Sequence, residues 1–419
     1  MEFETLKQSH LKRNIMIGVV AVLIISAIIL NFTRAKYRTT QSIPLVNGTI
    51  NYSLADLNIV AITIDGESVD TIPEGNYELT EESYCTVNGE EDESISISYD
   101  MNTQTLNVSP FTTKGTKCYL DFKEKTSAGD IILGNVTING GTPDFSQTAT
   151  TDEGVYKAED DRGTSYYFRG AVTNNYVQFA GYYWRIIRIN GDGSIRIIYD
   201  GTSAHANGES SSDRQTGTSA YNSMYNQSYY VGYTYQAGAQ RPSTQNGGTA
   251  STIKGVLDNW YTTNIAEQGL DDKVVSTPGF CNDRNTASGS NWVTSGNNFF
   301  YAPYERVYST RQPSLKCSNN NDIYTTKIGL ITADEVSMAG GVYGTNNTSY
   351  YLYIGQYYWT MSPYDFNGSW VNSFVVNTNG RFDPSLVTAS YGVRPVLNMN
   401  ADVTVSGGDG TQSNPYVIN

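Results

Sequence analysis

Histidine is almost absent from this 419-residue chain: there are two, and only His205 lies beyond residue 38. A histidine-based metal centre or a Ser–His–Asp hydrolase has little to draw on. No Gly-x-Ser-x-Gly turn is present either. Cysteine is scarce: Cys85, Cys118, Cys281 and Cys317. Their wide spacing, with no histidine near, excludes a zinc site, and none heads a lipobox. Around Asp192 the acidic spacing of a calcium loop is missing. The sequence therefore implies no cofactor and no metal. Positive charge is also short, with Lys+Arg 27 against Asp+Glu 41. Removing the six basic and two acidic residues up to Arg38 leaves 21 and 39, a net of −18. Nucleic acid is excluded as a partner, because such affinity rests on basic neutralisation of phosphates. An acidic exterior mainly confers solubility.

What the chain has in quantity is tyrosine, 33 residues against 13 phenylalanines. Rings with a polar tip suit contact surfaces as well as cores. Residues 14–32, NIMIGVVAVLIISAIILNF, form an uncharged apolar run. At about 1.5 Å per residue such a helix spans a bilayer core of roughly 30 Å. A cleaved signal peptide has a shorter apolar core ending at a small-residue site, and NFTRAKYR follows here instead. The glycine–phenylalanine signal and early glutamate of a type IV pilin are missing. The sequence thus predicts a cytoplasmic tail (1–13), a single transmembrane helix or signal-anchor (14–32) and a stalk (33–44). Flanking charges nearly tie, with Lys7, Lys12 and Arg13 before the span and Arg34, Lys36 and Arg38 after it. Four cysteines in the C-terminal part place that part outside the cell, where disulfides persist.

Residues 45–125 alternate apolar and polar letters, as in LNIVAITIDG and ESISISYDMNTQTLNVSPF, which predicts half-buried strands. Cys85 and Cys118 flank a hairpin and are expected to bridge, giving a small immunoglobulin-like β-sandwich spacer. Residues 126–160 read as a linker and first strand. In YVQFAGYYWRIIRINGDGSIRIIYDG two apolar runs surround Asn190–Gly193, the letters of a tight turn. Trp184 and Ile186 on one face and Ile187 and Ile189 on the other predict a hairpin buried on both sides. Residues 204–248 read as a long surface loop, and His205 within it as solvated. Ile253, Val256, Leu257, Trp260 and Tyr261 recur at helical spacing and predict an amphipathic helix. A disulfide between Cys281 and Cys317 would restrain a loop-rich excursion. In IGLITADEVSMAGG, Thr332 followed by Glu335 predicts a capping box, and Gly340 and Gly341 the helix end.

Three segments carry a family resemblance. IGLITADEVSMAGG, YYWTMSPY with the later NGSW, and YGVRPVLNM resemble, in order, the strand-to-helix, Trp-rich and closing segments of formylglycine-generating-enzyme-type (sulfatase-modifying-factor-type) C-type-lectin folds. The likeness covers about residues 130–419 and extends to exported proteins of Bacillota. It implies an α+β fold, with a C-type-lectin-like ligand-binding domain over 161–419. Some proteins of this type are variable products of diversity-generating retroelements, with variable residues in the last Trp-rich segment. The enzyme members need a late pair of active cysteines; Cys317 precedes that whole segment here, which removes the thiol chemistry. The calcium-dependent sugar-binding triplets of lectins are absent too.

The terminal segment combines rigid rings with adaptable Asn, Ser and Gly, as binding paratopes do. The expected ligand-binding residues are Tyr364, Asp365, Phe366, Asn367, Ser369, Trp370, Asn372, Ser373, Asn377, Asn379, Arg381 and Asp383. Phe366 and Trp370 read equally as anchors or core, and Arg394 reads as the anchor of a buried network. Asp334 and Glu335 suit the positive end of a helix dipole, and Asp160 and Asp161 a turn. No catalytic residue emerges. The reading is a membrane-anchored, single-pass extracellular receptor or adhesin for an unknown protein or glycan. Its rivals are a hydrolase or transferase on the same fold, which would want two converging carboxylates, and a passive cell-envelope structural protein.

Overall fold

The computed structural model describes residues 58–72, 77–100, 105–110, 115–124, 126–239, 248–318 and 322–418. The expected tail, spanning helix and stalk lie outside them. Among the described residues no helix is long and apolar enough to cross a membrane. Strand accounts for 38% of the structure and helix for 14%, so the described residues are mostly β and the expected α+β class is corrected. The physical reason is that the helices are short and serve as plugs, while two sheets supply most of the core. The chain divides into two compact units, 1–125 and 126–419.

In the first unit, β8 (Thr116–Glu124) is central. It runs parallel to β1 (Asn58–Ile64) and antiparallel to β3 (Tyr77–Leu79) and β4 (Tyr84–Val87); β2 (Glu67–Val69) and β5 (Glu90–Glu91) complete the sheet. Period-two alternation turns Thr116, Cys118, Leu120 and Phe122 inward. A separate hairpin of β6 (Ser96–Asp100) and β7 (Thr105–Ser109) adds Leu106 to that core. It also sets the Tyr99 ring edge-on to Phe122 at 5.2 Å. Cys85 and Cys118 do bridge, but they sit directly opposite each other on neighbouring strands. The bridge joins two strands, as expected, but within one mixed sheet, which corrects the expected immunoglobulin-like arrangement.

The second unit holds two larger sheets. One runs β20 (Ile328–Gly329), β25 (Val396–Met399), β13 (Ile195–Gly201), β12 (Tyr182–Ile189), β10 (Gly163–Gly170) and β9 (Asp152–Asp160). β11 (Tyr176–Phe179) pairs with β12, and β26 (Tyr416–Val417) with β11. The β12–β13 hairpin forms as its sequence predicts: from Trp184 to Ile189 every residue is buried, and Gly193 closes the turn at φ +83°. Trp184 meets Tyr199 edge-on at 5.6 Å. Such ring pairs contribute about 0.5–1.5 kcal/mol beyond their burial. The other sheet runs β14 (Thr218–Ser219), β24 (Tyr391–Gly392), β21 (Tyr358–Asn367), β22 (Val371–Val376) and β23 (Phe382–Leu386), with β18 (Asn298–Phe300) on β21. Two ribbons remain: β15 (Thr234–Tyr235) with β16 (Thr249–Ala250), and β17 (Phe280–Cys281) with β19 (Ile323–Tyr324). The Cys281–Cys317 bridge ties β17 to the connection that leads into β19.

Three of the helices among the described residues fill gaps. Residues 126–160, expected as linker and first strand, carry α1 (Ala128–Gly134) and β9, and Ala128 and Ile132 enter the core. α2 (Thr252–Tyr261) buries Ile253, Leu257 and Tyr261, a ladder of four-residue steps, and leaves Val256 outside. α3 (Ala333–Met338) opens with the predicted capping box: Glu335 N donates to Thr332 Oγ1 at 3.1 Å and Thr332 N to Glu335 Oε2 at 2.9 Å. The described part of the expected surface loop, residues 204–239, is not free. It sends Arg214, Tyr221, Val231 and Tyr233 into the interior.

Candidate functional site

The expected ligand-binding residues lie on β21, β22, β23 and the two turns between them, but they do not form one face. Asn367 ends β21 and the β21–β22 turn holds Ser369 and Trp370; the β22–β23 turn holds Asn377, Asn379 and Arg381. Five residue steps of β22 at about 3.3 Å each place the turns at opposite ends of the sheet. Phe366 and Ser373 are fully buried and Asn377 nearly so. In the second turn the polar groups satisfy one another. Asn377 Nδ2 donates to Asp383 Oδ2 (2.6 Å), Arg381 Nε to the same oxygen (2.9 Å), and Asn379 N to Asn377 Oδ1 (2.7 Å). Arg381 is thus spent on its own turn. Arg394 is a buried anchor as read, donating to Tyr199 O, Leu352 O and Asp200.

The first end is different. A β-bulge lets both Tyr364 and Asp365 oppose Asn372, which turns the two side chains to the same side. Asn372 Nδ2 donates to Asp365 Oδ1 at 2.6 Å. Burial pushes the Asp365 carboxyl above the usual carboxylate range, with the Asn372 bond working against it. Between Gly340 and Gly380 it is the one charged residue in the sequence. Tyr364 leads into a row of rings. Its hydroxyl shares a 3.0 Å hydrogen bond with that of Tyr343, the two rings being nearly parallel at 5.9 Å. Tyr304 stands perpendicular to Tyr364 at 5.2 Å and stacks on Phe300 at 4.0 Å. Tyr308 packs on Tyr343 at 4.9 Å and is 41% exposed. Tyr304, Tyr343 and Tyr364 are half-buried, while Phe374 and Phe382 beneath them are fully buried. The row is therefore a rigid platform with open polar edges.

A second exposed group adjoins the same turn. Trp370 is 46% exposed, and Val371 N donates to Tyr225 O at 2.9 Å. That carries Met224 and Tyr225, 44% and 45% exposed, next to Trp370. Trp, Tyr and Met are the side chains enriched in binding interfaces. Of this surface the sequence reading names Tyr364, Asp365, Asn367, Ser369, Trp370 and Asn372. It misses Tyr304, Tyr308, Tyr343, Met224 and Tyr225. Phe300, Tyr304 and Tyr308 recur every fourth residue, a signal the sequence does carry; Tyr343 arrives from a distant loop and leaves none.

A cavity of this unit lies elsewhere, beside the N-terminus of α3, among Asp160, Arg188, Arg196, Arg306, Asp334 and Glu335. At about 40 Å³ it has room for a few waters. Its charges are matched internally. Arg188 donates to Asp160 (2.7 Å) and Glu335 (3.1 Å), and Arg306 to Asp334 (2.8 Å) and Asp283 (2.8 Å). Arg196 Nε lies 2.6 Å from Glu335 Oε1, a buried ion pair. Burial lowers the Arg196 pKa to about 10, against the pull of Glu335. Asp334 and Glu335 thus do more than complement a helix dipole, and Asp160 more than form a turn. His205, expected in solvent, is 5% exposed. Its ring nitrogens face Glu209 (2.7 Å) and Asp213 (3.0 Å). Among the described residues no group of three or more His, Cys, Asp or Glu is placed to hold a metal ion.

No family model, curated protein or solved structure matches this chain. The two disulfides themselves define a class: a β-rich protein of an oxidising compartment outside the cytosol.

Proposed function

We propose that the chain is an exported binding protein, a receptor or adhesin, whose 126–419 unit presents the tyrosine row and the adjoining Trp370 group to a protein or glycan. The observation that carries this reading is the platform of Tyr304, Tyr308, Tyr343 and Tyr364, half open, fixed by ring contacts and set beside Asp365. Such a surface offers large contact area at low entropic cost. A hydrolase would want a second carboxylate beside Asp365, and the groups that perturb Asp365 are its own burial and Asn372. The C-type-lectin-type scaffold belongs to the same proposal. Its three motif segments fall on β20–α3, on β21, and on β24–β25. For the variable-protein form, the genomic signature would be adenine-rich codons in the Asn367–Asn372 region, with a near-copy repeat beside a reverse-transcriptase gene.

The test is a glycan and protein binding screen with the full chain, followed by Tyr308→Ala and Trp370→Ala. Both side chains are exposed, so the fold should survive their removal. Loss of an anchoring ring typically costs about 2 kcal/mol or more, roughly a 30-fold weaker Kd. Binding untouched by both substitutions, yet abolished by Asn379→Ala, would move the site to the other end of the sheet and refute the proposal.

A further inference from the structure

Buried arginines in this unit are met by acceptors. Arg169, Arg185, Arg188, Arg196, Arg214 and Arg394 each donate to a carbonyl or a side-chain oxygen. Arg284 is built otherwise. It is 2% exposed, and its Nε and Nη2 have no hydrogen-bond partner. Among the described residues no carboxylate pairs with it. Asp322 acts on it only through space, and the Tyr221 and Tyr301 rings beside it are fully buried. Tyr301 gives its hydroxyl proton to Ser228 O at 2.6 Å and Tyr221 gives its own to Met361 O at 3.3 Å. An enclosed guanidinium with open donors is among the least stable arrangements a core can hold.

A second open donor lies beside it. Asn282 Oδ1 accepts from Tyr233 N at 2.8 Å, which fixes the amide orientation, and Asn282 Nδ2 has no partner. Gly232 brings the two side chains together. A Cβ at that position would lie 2.8 Å from Arg284 Cδ, 3.0 Å from Asn282 Oδ1 and 3.2 Å from Arg284 Nε. Its φ of +103° is one that glycine adopts freely. The backbone thus gives way so that the guanidinium and the Asn282 amide oxygen lie side by side.

We propose that Arg284 and Asn282 hold a small monovalent anion, of halide or carboxylate chemistry, in the interior of this unit. The anion would accept from the open Nε and Nη2 of Arg284 and neutralise the buried charge, with the open Asn282 Nδ2 as a further donor on the neighbouring side chain. It would also tie down the segment that directly follows Cys281, and so brace the ribbon of β17 and β19. This role is independent of the tyrosine platform.

The test uses the full chain dialysed into gluconate. Thermal unfolding is followed as chloride, bromide or formate replaces gluconate at constant ionic strength. A rise in Tm that grows with the logarithm of anion concentration is expected, roughly 2–4 °C for each tenfold increase above its Kd. Whether the halides or formate act more strongly tells which chemistry the site takes. Arg284→Met keeps the bulk and removes the donors, and its Tm should ignore the anion. Crystals grown in bromide supply a reading that does not depend on that variant folding: an anomalous peak is expected within hydrogen-bond distance of Nε and Nη2. Equal Tm in gluconate and in all three anions, the same response in Arg284→Met, or a water in place of bromide would overturn the proposal.

Discussion

Removing Glu335 is the most demanding perturbation the interior offers. Its side chain is 3% exposed and does three things: it lies 2.6 Å from Arg196, accepts from Arg188 at 3.1 Å and closes the capping box on Thr332 N at 2.9 Å. Breaking a buried ion pair by removing one partner costs about 3–5 kcal/mol, and losing a cap about 1 kcal/mol. Glu335→Ala is therefore expected to lose about 4–6 kcal/mol, and Glu335→Gln about 3–5 kcal/mol, because its amide oxygen can still cap. Urea unfolding of the full chain, read through near-UV dichroism, measures both. Adding Arg196→Met to Glu335→Gln should recover part of the loss, since the stranded cation is then gone. The sign with pH follows from the charges. Burial alone would raise the Glu335 pKa, yet Arg196 and Arg188 outweigh it and hold the carboxyl below its ordinary value. Its contribution is present above the unfolded value of about 4.3 and fades as pH falls through the lower folded one. The gap between wild type and Glu335→Gln should narrow below about pH 4 for that reason. A loss under about 1 kcal/mol for Glu335→Ala, against the 3–5 kcal/mol of a broken buried pair, would show that the network carries no load and refute the reasoning.

Asp365 should behave in the opposite sense. Its folded pKa is raised, chiefly by burial, so ionisation opposes folding as pH climbs. Asp365→Asn is expected to match or exceed wild-type Tm at pH 7 and to show no gain near pH 3; a clear loss at pH 7 would contradict this. The Cys281–Cys317 bridge spans 36 residues, for which loop-closure entropy gives about 4 kcal/mol. Replacing both by serine should lower urea stability by about that amount. A change below about 1 kcal/mol would mean that the excursion is held by its hydrogen bonds instead.

How much of this was legible depended on the range of each signal. The α3 capping box needs only Thr332 and Glu335, three residues apart, and the β12–β13 hairpin only an apolar run around Asn190–Gly193; both form as read. The disulfide pairs follow from cysteine scarcity and compartment. The fold class was misread because many strands, such as Thr218–Ser219 and Tyr391–Gly392, are two residues long and leave no period to detect. His205 was misread because its partners Glu209 and Asp213 look, in a Ser- and Gly-rich stretch, like any solvated loop. The binding list was half misplaced because strand alternation buries Phe366 and Ser373, and β22 itself separates the two turns. Tyr343 joins Tyr364 only through tertiary packing.

Many contacts that hold the irregular segments reach the main chain. Arg169 donates to the carbonyls of Ser337, Met338 and Gln147, Arg214 to those of Glu209, Tyr351 and Tyr353, and Arg394 to those of Tyr199 and Leu352. A peptide oxygen is the same whichever amino acid bears it. At such points the identity of the loop residue is free to drift over generations while its position stays pinned. A few invariant guanidinium groups would then be enough to preserve the shape of an otherwise restless primary structure.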